Sequence, residues 1–185
     1  MKKVLLFATV AMLAACNSNT PASTSDTVKP ADSTVTTIAE IQSPYAINYS
    51  SKFVMDHPKN AETVLKLWKD WDGGDLMVSK DLFADSISLH LGDGSSMHGN
   101  KDSILAGMQQ FRNTIASAVS MVNAVMAVRS TDKDENWALI WGKEIDTDKK
   151  GKVDSFYLQE TWRFNKEGKI NLVYQFRANA APPKR

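Results

Sequence analysis

The stretch DSFYLQETWRFNKEGKIN, from Asp154 to Asn171, decides the fold because it reads as a strand, a tight turn and the start of a second strand. Its first half alternates between apolar and polar side chains, the pattern typical of a half-buried β-strand. The turn at residues 165–168 is short and polar and contains a glycine, as an antiparallel hairpin requires. The residues on the apolar face are Phe156, Leu158, Glu160, Trp162 and Phe164.

Glu160 is the exception on that face, and an unpaired carboxylate is costly to bury among apolar side chains. If Phe164 pairs with Ile170 across the turn, a regular register places Glu160 opposite Tyr174. We therefore predict a Glu160–Tyr174 hydrogen bond and a raised pKa for the buried carboxyl.

Two alternatives to that arrangement stay open. A bulge in the hairpin would turn Val173 and Gln175 inward instead of Tyr174. Glu160 would have a purely structural role if it lay at the open end of a cavity, with its oxygens in water.

The same strand-and-turn chemistry occurs along the second half of the chain. Strands are predicted at residues 119–130, 137–146, 153–164 and 170–178, joined by short polar turns. Three helices are predicted before them, at 60–74, 75–85 and 100–115. Their predicted N-caps are Asn60, Asp75 and Asn100, and the third helix has Phe111 and Ile115 in its buried stripe. This order predicts an α+β fold with three N-terminal helices packed on a long, curved, mainly antiparallel sheet.

The N-terminus has the features of a bacterial lipoprotein precursor. Residues 1–15 have two lysines, an apolar run and small residues, as a signal peptide does, and Leu-Ala-Ala-Cys at 13–16 resembles a lipobox. Cys16 is then lipidated and anchors the protein to a membrane, and Asn17 after it favours the outer membrane of a Gram-negative cell envelope. Residues 16–44 form a Ser/Thr-rich tether, 45–180 the folded domain and 181–185 a tail.

Composition excludes several classes of function. A formal charge of +1, with acids and bases interspersed, does not indicate nucleic acid as a partner. Cys16 is the only cysteine, so its lipidation leaves no thiol chemistry and no disulfide. No glycine-rich phosphate loop or known zinc spacing is present, and we expect neither cofactor nor metal; His90, His98 and Asp93 could offer ligands only if the turn brought them together.

Three stretches resemble the nuclear-transport-factor-2-like fold, which includes SnoaL-type polyketide cyclases and ketosteroid isomerases. They are GGDLMVSKDLFADSISLH, MHGNKDSI and WRFNKEGKI, within residues 60–178. The resemblance implies a cone-shaped fold with an apolar cavity between helices and sheet. Laid on the isomerases, the catalytic base falls on Leu91, the oxyanion tyrosine on Leu67 and the carboxyl donor on Glu160. Two of these three positions are apolar, so steroid isomerisation by that mechanism is not expected.

Two function classes remain. The preferred one is a non-catalytic domain that binds a small apolar molecule or a partner. The alternative is an isomerase, cyclase or dehydratase on a cyclic or polyketide-like substrate, using Glu160 with His90 or Tyr174. We expect the cavity to be lined by Trp68, His90, Trp141, Glu160, Trp162 and Tyr174. Trp141 belongs there only if the face with Trp137, Leu139 and Ile145 points inward.

A homodimer through the outer face of the sheet is the remaining expectation about partners. On that face we place Tyr157 and Val173, with Arg163 and Arg177 around them.

Overall fold

One seven-stranded sheet organises the part of the chain that the structure, a computed structural model, describes: residues 41–180. The order across the sheet is β1-β4-β5-β6-β7-β2-β3, and every pairing is antiparallel except β2 with β7. The strands are β1 (Phe53–Met55), β2 (Phe83–His90), β3 (Ser96–Asn100), β4 (Ile115–Ser130), β5 (Glu135–Asp148), β6 (Val153–Phe164) and β7 (Ile170–Asn179). The predicted α+β class and the four long strands are confirmed, whereas β3 was not predicted.

The helices lie where the sequence pattern put them, with differences at their ends. Helix α1 (Lys59–Gly73) begins after Pro58, so Asn60 lies inside its first turn and is not its cap. The second predicted helix is a short 3-10 helix (Met77–Leu82) that Asp75 supports by accepting a hydrogen bond from the Met77 backbone at 2.9 Å.

The third helix, α2 (Lys101–Arg112), has the predicted Asn100 cap, which accepts from the backbone N–H groups of Asp102 and Ser103. It is shorter than predicted: Phe111 is 56% exposed and Ile115 begins β4, so neither continues its buried stripe.

The core lies between α1, α2 and one face of the sheet, which we call the inner face. Val64 of α1 and Ile140 of β5 have no exposed surface, and Ile87 of β2 and Leu105 of α2 are buried beside them. Each such side chain contributes roughly 1.5–3 kcal/mol to folding when it leaves water. This core holds the helices against the middle of the sheet.

Strand β5 points its smaller side chains towards the helices. Its large apolar side chains had suggested the opposite facing. Ala138, Ile140, Gly142 and Glu144 are buried on the inner face, so Trp141 lies on the outer face. The reason is space: a Cβ on Gly142 would lie 2.6 Å from Cζ3 of Trp68, so the indole ring of α1 occupies the room that a side chain would need.

The β6–β7 hairpin contains the bulge that was the alternative prediction. Phe164 pairs with Ile170 as predicted, but Arg163 pairs with Leu172, which leaves Asn171 as the extra residue. Glu160 therefore faces Gln175 and not Tyr174, and the predicted Glu160–Tyr174 hydrogen bond is wrong. Val173 is 4% exposed in the core, so its predicted place on the outer face is also wrong.

The predicted signal peptide, Cys16, most of the predicted tether and the predicted 181–185 tail lie outside the described residues. Within residues 41–180, no helix has the length and apolar character needed to cross a membrane. The segment before β1 is attached to the β4–β5 turn: Lys52 accepts from the Thr131 backbone at 2.8 Å, and the ring of Tyr49 packs edge-on against Trp137.

Candidate functional site

A cavity of about 450 Å³ lies between the inner face of the sheet, helices α1 and α2 and the β2–β3 turn. Most of its wall is apolar or aromatic, and the polar groups are few. The lining includes Leu67, Trp68, Trp71, Phe83, Leu91, Met108, Phe156, Leu158, Trp162 and Val173, with Glu144, Asp146, Glu160, Gln175 and Arg177. An apolar chamber with a few fixed polar groups is the usual form of a small-molecule site.

Glu160 lies in the cavity wall with both carboxyl oxygens hydrogen-bonded. Its Oε2 accepts from Nε1 of Trp68 at 2.7 Å and from Nε1 of Trp162 at 3.1 Å, and its Oε1 accepts from Nε2 of Gln175 at 2.8 Å. Burial raises the pKa of Glu160, and these three neutral donors oppose that rise only in part. A structural Glu160 with its oxygens in water is excluded, because the residue is 5% exposed.

Two further carboxyls, Glu144 and Asp146, project into the cavity from β5, because residues two apart on a strand share a face. Oε1 of Glu144 accepts from Nε1 of Trp71 at 2.7 Å. Burial, followed by the charge of Asp146, raises the pKa of Glu144 to about 8. Burial also raises the pKa of Asp146, although the proton that Glu144 donates to it, and the charges of Arg112 and Arg177, act the other way. Near neutral pH Glu144 therefore retains its proton beside the carboxyl of Asp146.

Helix α1 positions both carboxyl sites through one pair of indoles. Trp68 and Trp71 are three residues apart, so they point to the same side of the helix. Trp68 donates to Glu160 on β6 and Trp71 donates to Glu144 on β5. A helix displacement would break both hydrogen bonds, which ties the site geometry to the packing of α1 on the sheet.

The mouth of the cavity is formed by the β2–β3 turn and the end of β7. Arg177 contacts Asp154 at 2.9 Å, and its guanidinium lies 3.6 Å from the ring centre of Phe156. Gly92 allows this approach, since a Cβ there would lie 2.6 Å from the Cβ of Arg177. Asp93 is the exposed acid at this edge.

Of the six predicted cavity residues, the structure brings three to the cavity: Trp68, Glu160 and Trp162. Trp141 lies on the outer face, as described above. His90 and Tyr174 stack on each other at 4.7 Å, and Nδ1 of His90 contacts Oγ of Ser96 at 2.9 Å. Tyr174 precedes the inward-facing Gln175, and successive side chains on a strand point to opposite faces. His90 and Tyr174 therefore lie across the sheet from Glu160 and cannot act with it.

Sequence reasoning missed Trp71, Glu144, Asp146 and Arg177 as cavity residues, and it named Gln175 only in the bulged alternative. The available signal was the alternation Ala138, Ile140, Gly142, Glu144, Asp146, which was obscured by the larger side chains of the opposite face. Leu67 and Leu91, at the positions of the isomerase tyrosine and catalytic base, both line the cavity and make that part of its wall apolar.

No group of three or more His, Cys, Asp or Glu side chains that could hold a metal ion is found in residues 41–180. The carboxyls of Glu144 and Asp146 are two ligands at most, and one of them is occupied by an indole N–H.

The chain matches no protein-family model and no curated protein. Its structure is similar to an NTF2-like protein of unknown function from Exiguobacterium sp. 255-15, with a TM-score of 0.52 and 18% identity over 64% of this chain and 99% of that one. It is also similar to AusH from Aspergillus nidulans, with a TM-score of 0.54 and 14% identity over 69% and 89% of the two chains.

A third similar structure is SalBIII, an epoxide hydrolase/cyclase-like enzyme with a role in pyran ring formation in the polyether salinomycin. Its TM-score is 0.53 at 14% identity, over 68% of this chain and 95% of that one. At these identities the likeness concerns the fold alone. The element order, the mostly antiparallel sheet and these neighbours together identify the described domain as having the NTF2-like cone fold.

Proposed function

We propose that the cavity binds a small, mainly apolar molecule and that the protein is a lipid-anchored component of the cell envelope. The observation that carries the binding proposal is the cavity itself: about 450 Å³, lined mostly by apolar and aromatic side chains. Most of the wall would desolvate an apolar ligand, and the few polar groups would orient it. The anchor is proposed from the lipobox at 13–16 alone.

The hydrogen bonds of the Glu160 carboxyl favour ligand binding over catalysis at this residue. Three donors from the protein occupy its two oxygens, so the group is committed to holding Trp68, Trp162 and Gln175 in place. A catalytic base needs a free oxygen within hydrogen-bond reach of the proton that it abstracts. Glu160 thus serves the proposed site by shaping its floor.

A second candidate is acid–base catalysis by Glu144 and Asp146, in an isomerase, cyclase or dehydratase reaction on a cyclic substrate. The specific observation in its favour is that two carboxyls lie side by side on the cavity wall, with the pKa of Glu144 raised to about 8, so Glu144 can donate a proton while Asp146 accepts one. SalBIII, an enzyme described as cyclase-like, has the same fold, which makes such chemistry compatible with this architecture.

We also propose a homodimer through the outer sheet face. That face exposes Tyr157 by 49%, Phe176 by 59% and Met121 by 53%, on three different strands. Large exposed apolar side chains on one face favour a protein contact. Sedimentation velocity tests this proposal, and a purely monomeric boundary at tens of micromolar would contradict it.

The binding proposal is tested by filling the cavity. Gly107 lines the cavity, and a Cβ there meets no atom within 4 Å. Gly107→Leu therefore places a larger side chain in the cavity, which reduces its free volume, without a backbone clash. Gly73→Leu is the matched control, because Gly73 is also a helical glycine with open space and does not line the cavity.

Protein from the native host is analysed by native mass spectrometry for a retained ligand, and Nile red titration measures saturable binding of an apolar dye. We expect wild type and Gly73→Leu to bind Nile red alike, and Gly107→Leu to bind it at least about tenfold more weakly, a change of about 1.4 kcal/mol. Wild-type protein that neither retains a ligand nor binds the dye saturably would refute the proposal.

A further inference from the structure

The side chain of Gln175 connects the floor of the cavity to its mouth. Its Nε2 donates to Oε1 of buried Glu160 at 2.8 Å, and its Oε1 accepts from the backbone N–H of Gly92 at 3.3 Å. Gly92 lies in the β2–β3 turn, which forms part of the mouth. One side-chain amide therefore joins a titratable group inside the protein to a turn at its surface.

The mouth turn depends on this contact because the strand pairing beside it has already ended. The last pair between β2 and β7 is His90 with Tyr174, so the turn lies beyond the backbone ladder. Backbone hydrogen bonds within residues 91–95 fix the shape of the turn itself. The hydrogen bond to Gln175 is what ties the N–H of Gly92 to β7.

The two hydrogen bonds of Gln175 depend on which way its amide points. An amide has a donor end and an acceptor end, and a rotation of 180° about the last side-chain bond exchanges them. Glu160 needs the donor end while its carboxyl is charged, since a carboxylate only accepts. The acceptor end is then directed at Gly92, which is the arrangement in the structure.

A proton on Glu160 reverses this requirement. The indoles of Trp68 and Trp162 both donate to Oε2, so Oε1 is the oxygen that can take the proton. Its O–H would then face the N–H of the Gln175 amide, donor against donor. Rotation of the amide supplies the missing acceptor and places its NH2 group against the N–H of Gly92, which breaks the bond to the turn.

We propose that Gln175 is a positioning residue that holds the mouth turn closed while Glu160 is charged and frees the turn when Glu160 takes up a proton. This inference rests on the proposed function, because the turn controls access to the proposed binding cavity. The proton comes from water and returns to it, and no bond of a ligand is made or broken.

The surroundings of Glu160 give the direction of the pH dependence. Burial raises the pKa of Glu160, and its three N–H donors oppose the rise. The other charged groups around the cavity are Glu144 and Asp146 from β5, Asp154 from β6, Arg177 from β7, Asp93 from the mouth turn and Arg112 from α2. Helix α1 meets Glu160 with the neutral indole of Trp68. The turn should therefore loosen as the pH falls through the raised pKa of Glu160.

The test follows the amide hydrogen exchange of Gly92 by NMR between pH 5 and pH 9, in the full chain as its host processes it. Protection is calculated after correction for the intrinsic pH dependence of exchange, so it reports opening of the turn. Stopped-flow mixing with Nile red measures entry of an apolar dye into the cavity over the same pH range.

Four variants separate the groups involved. Glu160→Gln imitates the protonated carboxyl at every pH, because its NH2 group can donate to Gln175 as the O–H would. Gln175→Leu removes both hydrogen bonds. Gln110→Leu is the matched control, since Gln110 is exposed on α2 and does not line the cavity. Glu144→Gln removes the neighbouring carboxyl, which titrates near pH 8.

We expect the protection of the Gly92 amide in wild type to fall at least about fivefold from pH 9 to pH 5, the effect of one lost hydrogen bond, and Nile red to enter faster. Glu160→Gln and Gln175→Leu should show the low protection at every pH, whereas Gln110→Leu and Glu144→Gln should keep the wild-type profile. If Glu160→Gln does not fold, Gln175→Leu still decides, because a purely structural Gln175 would lower the protection without removing a pH profile.

Two kinds of result would overturn the inference. Protection of Gly92 that does not change with pH in wild type, or a pH profile that survives Gln175→Leu, would exclude the role of Gln175 and leave the proposed binding intact. Absence of saturable Nile red binding at every pH would contradict the proposed function itself, and with it the control of access by the turn.

Discussion

The proton held by Glu144 should make the folded protein less stable as the pH rises. The pKa of Glu144 is raised from 4.5 to about 8. The unfolded chain loses this proton near its ordinary pKa, whereas the folded protein keeps it until about pH 8. The stabilisation from the proton is therefore complete below about pH 4.5 and is lost as the pH rises through the folded pKa.

The size of that loss follows from the same values. At about 1.36 kcal/mol per pKa unit, the rise corresponds to about 5 kcal/mol over the full range. Between pH 5 and pH 8 we expect a decline of about 2–3 kcal/mol in the free energy of unfolding, because Asp146 shares the proton and takes part of the effect.

The substitution Glu144→Gln isolates this contribution. The amide oxygen can still accept from Trp71, and the amide N–H can still donate to Asp146, so the neutral state is imitated at every pH. We expect the variant to match wild type near pH 5 and to exceed its stability by about 2 kcal/mol at pH 8.

Urea unfolding followed by tryptophan fluorescence at pH 5, 6, 7 and 8 measures both curves, and Asp85→Asn is the control for a lost surface acid. Parallel pH dependences for wild type and Glu144→Gln would refute the reasoning, since they would show that another group titrates.

Three other predictions follow from single contacts. Gly142→Ala places a methyl group 2.6 Å from the Trp68 ring and should lower the free energy of unfolding by about 1–3 kcal/mol, measured in urea; an unchanged midpoint would contradict the packing. Trp68→Phe removes an N–H donor from buried Glu160 and should cost about 1–3 kcal/mol, with the loss growing at high pH, where the carboxyl is charged. Cys16→Ser should move the protein from the membrane fraction to the soluble fraction on immunoblots, and retention in the membrane would refute the lipid anchor.

Local patterns predicted the elements of this fold well. The stripe that includes Val64, Leu67 and Trp68 repeats with the helical period, and the cap at Asn100 has a local chemical cause. Each depends on residues within one or two turns, so no knowledge of distant contacts was needed. The hairpin at residues 165–168 was predictable for the same reason.

Facing and register depended on distant contacts and were not predictable to the same degree. The inward face of β5 is set by the indole of Trp68, which lies far away in sequence and needs Gly142 beneath it. The large side chains of Trp137 and Trp141 suggested the opposite face. Trp137 is nevertheless buried on the outer face, where the ring of Tyr49 packs edge-on against it. Because the inward face of β5 was not predicted, the carboxyl pair at Glu144 and Asp146 on that face was missed as well.

The extra residue Asn171 makes the cavity wall depend on strand register as well as on side-chain identity. Arg163 holds the Asn171 side chain at 3.1 Å, at the point where the pairing shifts by one residue. If Asn171 paired with Arg163 in a regular ladder, the alternation of β7 would present Tyr174 to the chamber and withdraw Gln175 from Glu160. Loss of the bulge with Asn171 retained would thus exchange the whole β7 lining at once, whereas deletion of Asn171 would keep Leu172 opposite Arg163 and Gln175 opposite Glu160.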